Sequence, residues 1–108
     1  MDTAFFDWDN IDWQITDEYS ARKVVTLGNV MCVLFRLKKG ADAPPHAHPH
    51  EQMSTVLEGR LIAHIGEETK ELGPMEGYCV PPDVPHKVTV LEDCILMDSF
   101  SPIREDFL

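Results

Sequence analysis

Proline and glycine interrupt this chain so often that long helices have little space between them. Eight Pro and six Gly are spread over 108 residues, and the segments between them are short apolar runs rich in Val, Leu, Ile and Phe. Side chains within such a run alternate between two faces, as Leu61, Ala63 and Ile65 do, and this period of two is that of a strand. Many short strands separated by turns predict an all-β fold with little helix, either a sandwich or a small barrel.

The length predicts one domain over residues 1–108. The runs that we interpret as strands cover residues 22–27, 30–38, 53–57, 60–65, 70–72, 77–80, 86–91 and 94–100. The segment 1–20 is rich in aromatic side chains, and we expect a loop or edge strand that covers the barrel or forms a dimer contact. The tail, residues 101–108, is too short for a substantial helix and is expected near the barrel mouth.

The charge balance narrows the choice of partner. Nine Lys and Arg against 19 Asp and Glu give a formal net charge of -10 at pH 7, which argues against nucleic acid or an anionic membrane as partner. It would also repel a small anionic substrate unless the binding pocket is locally positive. No apolar run approaches the roughly 20 residues of a membrane-spanning helix, and the acidic start does not resemble a signal peptide. Three cysteines without a framework spacing favour reduced thiols in a cytoplasmic protein.

Three histidines and a glutamine have the spacing of a metal site. His46 and His48 are separated by one residue, so on an extended segment both side chains point to the same side. Gln52 follows four residues later and His86 much further along the chain. Three imidazoles and an amide oxygen predict one divalent transition metal ion, Zn, Ni, Mn or Fe(II), with room left for a ligand. Any one of these histidines alone would more often be an ordinary polar residue.

Two further histidines compete for the same interpretation. His50 continues the alternation of His46 and His48, but the strand pairing would have to slip by two residues for it to replace Gln52. We therefore expect His50 beside the ligands or exposed. His64 lies on a predicted strand, where a hydrogen-bonded histidine of the barrel wall is the more frequent role.

The last predicted strand and the tail carry a second group of candidates. Asp98 and Phe100 share one face by the period of two. If that face lines the barrel mouth, Asp98 offers a carboxylate near the metal and Phe100 a wall for a sugar ring. Arg104 has the planar fork that clamps a carboxylate with two hydrogen bonds. A capping aspartate, a core phenylalanine and a surface arginine are the alternatives.

Taken together, these motifs resemble the cupin family, whose fold is a small jelly-roll β-barrel. The positions that match are Gly40, His46, His48 and Gly59 in the first cupin motif and Pro81 and His86 in the second. Gln52 stands where the first motif usually has Glu. The second motif departs from the usual pattern at Asp83 and Val90. A neutral amide leaves the full charge of a divalent ion in place, so the ion becomes a stronger Lewis acid and a better trap for anions.

The closing run 98–108 resembles more specifically the end of the KdgF family, small cupins of pectin and alginate breakdown. The segment 46–52, with its glutamine, and the pair Gly59-Arg60 are similar to the same family. The resemblance implies a metal-dependent, isomerase-like enzyme that linearises 4,5-unsaturated uronate monosaccharides to 5-keto-4-deoxyuronate without redox chemistry. It also implies that residues at the positions of Asp98, Phe100 and Arg104 belong to the active site.

We accordingly predict Asp98 and Arg104 as catalytic, and Phe100 and Arg60 as contacts of a small anionic sugar. Three other functions stay open: a cupin dioxygenase with iron, a non-catalytic metal-binding or sugar-binding cupin, and a storage-type cupin. Small cupins often pair through an exposed edge strand, so a homodimer is also predicted.

Overall fold

Nine antiparallel strands in two sheets make up almost all of the regular structure in residues 4–108, which are the residues that the structure, a computed structural model, describes. In chain order they are β1 (Gln14–Asp17), β2 (Ser20–Thr26), β3 (Met31–Leu37), β4 (Glu51–Glu58), β5 (Leu61–Ile65), β6 (Glu68–Leu72), β7 (Gly77–Val80), β8 (His86–Val90) and β9 (Cys94–Ser101). Within this range, helix is limited to two short 3₁₀ turns, Trp8–Asn10 and Glu105–Phe107. The prediction of an all-β fold with little helix is confirmed.

The two sheets differ in size. One has six strands in the order β1-β2-β3-β9-β4-β7, and the other has three in the order β6-β5-β8. All eight predicted runs form strands whose ends lie within about two residues of the prediction. The additional strand is β1, whose four residues are all exposed and therefore show no burial pattern in the sequence.

Alternation along β4 and β9 separates an inner face from an outer face. On β9 the buried residues are Cys94, Leu96, Asp98 and Phe100, and on β4 they are Gln52, Ser54 and Val56. Apolar inner residues of both sheets form one core cluster around Val56, Leu61 and Leu96. A second cluster contains Met31, Val33 and Phe100. Burying such side chains stabilises the fold by about 1.5–3 kcal/mol each, and the polar inner residues lie between the two clusters on the same face.

The N-terminal segment packs on the outer face of β2 and β3. The ammonium of Lys23, a residue only 7% exposed, donates a hydrogen bond of 2.6 Å to the carbonyl of Trp8. It lies 4.6 Å from the centroid of the Trp13 ring, over which the Arg36 guanidinium also stacks at 4.7 Å. Cation–π contacts of this kind hold the segment against the barrel wall.

The turn between β4 and β5 requires a glycine. Gly59 has a φ of +84°, and a Cβ at this position would lie 2.1 Å from the carbonyl oxygen of Asp93. Only glycine combines the left-handed backbone with this close approach. Across residues 4–108, none of the helices is long and apolar enough to cross a membrane.

Candidate metal centre and its cavity

The three predicted histidine ligands come together between the two sheets. His46 and His86 form an antiparallel bridge in which each amide N–H donates to the other residue's carbonyl, at 3.0 and 2.9 Å. His48 lies two residues further along the same extended segment. The potential ligand atoms of His46, His48 and His86 all lie within 4.8 Å of one another, so one ion can contact all three.

The protonation of these imidazoles suits a metal. The Nδ1 of His86 lies 2.9 Å from the carbonyl oxygen of Val84; because a carbonyl only accepts, Nδ1 carries the proton and the Nε2 lone pair is available. That Nε2 and the Nδ1 of His48 are buried without a hydrogen-bond partner among residues 4–108. Burial lowers the pKa of His46 and His48, and the positive charge of Arg104 lowers both further. The neutral form, which binds metals, is therefore favoured.

Gln52 extends the cluster from β4. Its side-chain oxygen, Oε1, lies 3.0 Å from the Nε2 of His48. Its amide nitrogen donates to the hydroxyl of Ser54 at 3.0 Å and to Oδ2 of Asp98 at 3.2 Å. The amide therefore presents its oxygen to the His48 ring, beside the histidine cluster.

Asp98 is a buried carboxylate beside this cluster. It lies opposite Ser54 in the register of β4 and β9 and is 5% exposed. Burial raises the pKa of Asp98 to about 7, against the lowering effects of a hydrogen bond from Ser54 and the charge of Arg104. Its Oδ1 has no partner among the described residues. Burial also raises the pKa of the neighbouring Tyr78 phenol, which keeps that hydroxyl protonated.

A cavity of about 300 Å³ joins these groups, a size at the lower end of small-molecule sites. The residues lining it include Phe35, His46, Gln52, Tyr78, His86, Asp98, Phe100, Arg104 and Phe107. Imidazoles, the carboxylate and the guanidinium thus share one cavity with aromatic walls. The sequence had not indicated Ser54, Tyr78 or Phe107, although the period of two from Gln52 places Ser54 on the same face.

Arg104 folds back into this cavity from the tail. Its guanidinium stacks on the rings of Phe107 and Phe100, with its Cζ 4.3 and 5.2 Å from their centroids, and its side chain is 13% exposed. Nε and Nη2 donate to the two carboxylate oxygens of Asp106, at 3.0 and 2.8 Å. Phe100 is also edge-on to the His48 ring, with the centroids 5.8 Å apart. Phe100 therefore forms a wall of the cavity that contacts both the His48 imidazole and the guanidinium.

Arg60, by contrast, is not among the residues that line this cavity, and its predicted contact with the sugar stays a prediction. Its guanidinium is paired with Glu71 at 2.9 Å on the surface. Arg60 lies away from the cavity because it follows the tight turn at Gly59, whereas Gln52 lies near the other end of β4. Glu51 and Met53 point away from the cavity because they alternate with the inward-facing Gln52.

The other two histidines lie outside the ligand cluster. The Nε2 of His50 lies 3.2 Å from the carbonyl oxygen of Ile103, a contact that ties the tail to the start of β4. His64 lies between the hydroxyls of Thr69 and Thr89, at 3.3 and 3.4 Å from its two ring nitrogens. Both positions agree with the roles expected for these residues.

Comparison with known proteins identifies the family. The cupin domain family matches residues 33–100. The pectin degradation protein KdgF of Dickeya dadantii (strain 3937) is 33% identical over 107 residues, covering 96% of this chain and 97% of that protein. This chain is a cupin of the KdgF family. The predicted cupin barrel and the resemblance to KdgF are both confirmed.

Solved structures agree with this KdgF-family assignment. KdgF from Halomonas sp. superposes with a TM-score of 0.92 at 32% identity, covering 97% of this chain and 100% of that one. An RmlC-like cupin from Shewanella frigidimarina NCIMB 400 superposes with a TM-score of 0.93 at 31% identity, covering 98% of this chain and 96% of that one. Oxalate decarboxylase, at 20% identity and a TM-score of 0.79, shows the shared fold alone.

The donor set of this KdgF-family cupin fits a metal ion. Three imidazoles that converge within 4.8 Å and an amide oxygen are ligands that suit Zn, Ni, Mn or Fe(II). The buried ring nitrogens that have no partner in the described part of the chain are otherwise costly to leave unpaired, by about 1–3 kcal/mol each, and a bound ion would remove part of that cost.

Proposed function

We propose that this KdgF-family cupin opens the ring of 4,5-unsaturated uronate monosaccharides and releases 5-keto-4-deoxyuronate. A divalent transition metal would be held by His46, His48, Gln52 and His86. The observation that carries the proposal is Oδ1 of Asp98, which has no hydrogen-bond partner among residues 4–108 and belongs to a buried carboxylate lining the same cavity as the imidazole cluster. A proton acceptor and a metal site thus face one small-molecule cavity.

The reaction needs one proton to move and one bond to break. The substrate is a cyclic hemiacetal whose ring oxygen also belongs to an enol ether. Asp98 takes the proton of the anomeric hydroxyl as the bond from carbon 1 to the ring oxygen breaks, which leaves an aldehyde at carbon 1. Asp98 then returns the proton to carbon 4, which leaves a ketone at carbon 5. The metal, when bound, supplies a Lewis acid that stabilises the negative charge developing on the ring oxygen.

Arg104 and Phe100 orient the sugar in this proposal. Asp106 engages the Nε and Nη2 edge of Arg104, so the end of the guanidinium that carries Nη1 is the part left for the substrate carboxylate. Phe100 forms the apolar wall against one face of the ring. A bound divalent metal would add its charge to that of Arg104, and together they would supply the local positive charge that an anionic substrate needs in a protein with a net charge of -10.

The proposed compartment is the cytoplasm. All three cysteines are free thiols, and the buried Cys94 donates to the carbonyl groups of Glu92 and Arg60. Thiols in a reducing compartment remain in this state.

A time course of ultraviolet absorbance on freshly lyase-generated monosaccharide tests the function. The signal is the band of the conjugated double bond, followed with metal-loaded protein, with chelated protein and without protein. Faster decay with the loaded protein alone is the expected result. Decay no faster than the spontaneous background, in protein shown to hold metal, would overturn the proposal. Oxygen consumption in the same cuvette would instead indicate a dioxygenase.

A further inference from the structure

The amide of Gln52 is held in one orientation by its hydrogen bonds. An amide has two donors on its nitrogen and only acceptors on its oxygen. Both donors of Gln52 are used, by the hydroxyl of Ser54 at 3.0 Å and by Oδ2 of Asp98 at 3.2 Å. Flipping the amide would place its oxygen against the Asp98 carboxylate and turn its N–H groups toward His48. Both donor bonds would be lost.

We propose that Ser54 and Asp98 are positioning residues for the proposed metal ligand Gln52, holding its oxygen beside the Nε2 of His48 before an ion arrives. This inference rests on the metal site of the proposed function. It assigns Asp98 a second role, in which the carboxylate that moves the proton also orients a ligand. Ser54 shares that role from the same strand as Gln52.

The environment makes these hydrogen bonds effective. Gln52, Ser54 and Asp98 are 4%, 3% and 5% exposed, so water is poorly placed to replace a lost partner. In such a low-dielectric site, hydrogen bonds are stronger and an unpaired polar group is more costly than at the surface. Outer partners of this kind typically change metal affinity by about 10–100-fold when they are removed.

The same geometry explains why a glutamine stands at this ligand position. A glutamate there would bring a second carboxylate against Asp98, and two buried like charges at hydrogen-bond distance repel each other. The amide removes the repulsion and turns the contact into a hydrogen bond. The identity of residue 52 is therefore coupled to the carboxylate at residue 98.

Metal affinity of matched serine variants tests the role of Ser54. Ser54→Ala removes the acceptor from Gln52, whereas Ser99→Ala removes a hydroxyl from the outer face of β9, away from the cavity. We expect Ser54→Ala to bind Zn²⁺ about 10–100-fold more weakly by competition with a chelator and Ser99→Ala to match the parent protein. Co²⁺ absorption bands should also change in Ser54→Ala, because they report the ligand field. Equal Zn²⁺ affinity in Ser54→Ala and the parent would overturn the proposal.

An exchange of the two side-chain types gives an independent measurement. Gln52→Glu sets two carboxylates against each other, whereas adding Asp98→Asn to it restores an amide–carboxylate hydrogen bond in reverse. We expect Gln52→Glu to melt at a lower temperature than the parent in metal-free buffer, and the double variant to recover part of that loss. A double variant whose change equals the sum of the changes in the two single variants would contradict the coupling.

Neither measurement uses a sugar, so the two proposals can fail separately. If the parent protein does not open the sugar ring but Ser54→Ala binds Zn²⁺ more weakly, the positioning role is supported and the proposed function is contradicted. If the parent protein opens the ring and Ser54→Ala binds Zn²⁺ as tightly as the parent, the proposed function is supported and the positioning role is contradicted.

Discussion

Asp98 has two oxygens in different surroundings. Oδ2 accepts from Gln52, whereas Oδ1 has no partner among the described residues. The first oxygen serves the structure of the site, and the second is free to receive a proton from a ligand. Because its two oxygens have different roles, Asp98 is the most informative single residue to mutate.

Replacing Asp98 with Ala removes the proposed proton carrier. A positioned acid or base typically contributes about 10²–10⁴-fold to a rate, so turnover of the unsaturated uronate should fall by a factor in that range. The rate is to be measured at saturating metal, with metal content quantified, because the same substitution also removes a partner of Gln52. Unchanged turnover at full occupancy would remove Asp98 from the mechanism.

Replacing Arg104 with Lys keeps the charge but removes the planar fork. Hydrogen bonds to charged groups contribute about 1.5–3 kcal/mol each, so KM should rise about tenfold or more while kcat changes less. Arg60→Lys is the matched control, because Arg60 pairs with Glu71 outside the cavity and its loss should leave KM unchanged. Equal KM values for the two variants would argue against the carboxylate clamp.

At the scale of elements, the turn that joins the two sheets should be sensitive to a single methyl group. Gly59→Ala places a Cβ in a left-handed backbone and 2.1 Å from the Asp93 carbonyl oxygen. Strain in this backbone region costs about 1–2 kcal/mol, and the clash adds to it, so the free energy of unfolding in urea should fall by more than that. Gly28→Ala is the control, since nothing lies within 4 Å of the Cβ it would add. Equal losses in both variants would contradict the assigned role of the turn.

The candidate metal site also joins elements, because β8 supplies His86 and β4 supplies Gln52 from the opposite sheet. An ion that binds only the folded protein stabilises it by about 2.7 kcal/mol at a free concentration of 100 times Kd. The melting temperature should therefore rise on adding Zn²⁺ and fall again on adding a chelator. His48→Ala should show a much smaller shift, and an equal shift would place the ion elsewhere.

The local patterns of these elements could be predicted, whereas their pairing could not. The clustering of His46, His48 and His86 could be predicted because two short motifs contain all three, and the period of two places the first two on one side. Ser54 was missed because its importance depends on facing Asp98 across β4 and β9, residues that lie far apart in the sequence. The position of Arg60 outside the cavity could not be predicted for the same reason, since its neighbour Gly59 does not reveal which end of the strand carries the site.

For the whole molecule, the strongly acidic surface makes self-association depend on uncharged patches. All four residues of the edge strand β1 are exposed, and its Ile15 is 75% exposed, so we propose this strand as the contact of the predicted homodimer. Light scattering should give twice the mass of the chain, and Ile15→Glu should shift the protein toward the monomer. Met53→Glu, on the outer face of β4 and 65% exposed, is the control. A monomeric parent protein at working concentration would contradict the prediction.

The bridge between His46 and His86 affects how fast a metal ion can bind rather than how tightly it binds. Two ligands 40 positions apart in the chain are held side by side by reciprocal backbone hydrogen bonds, so an incoming ion meets them already assembled. We therefore expect the loss of water from the ion, rather than a rearrangement of the chain, to set the pace of loading, which would make that pace a property of the metal more than of the protein.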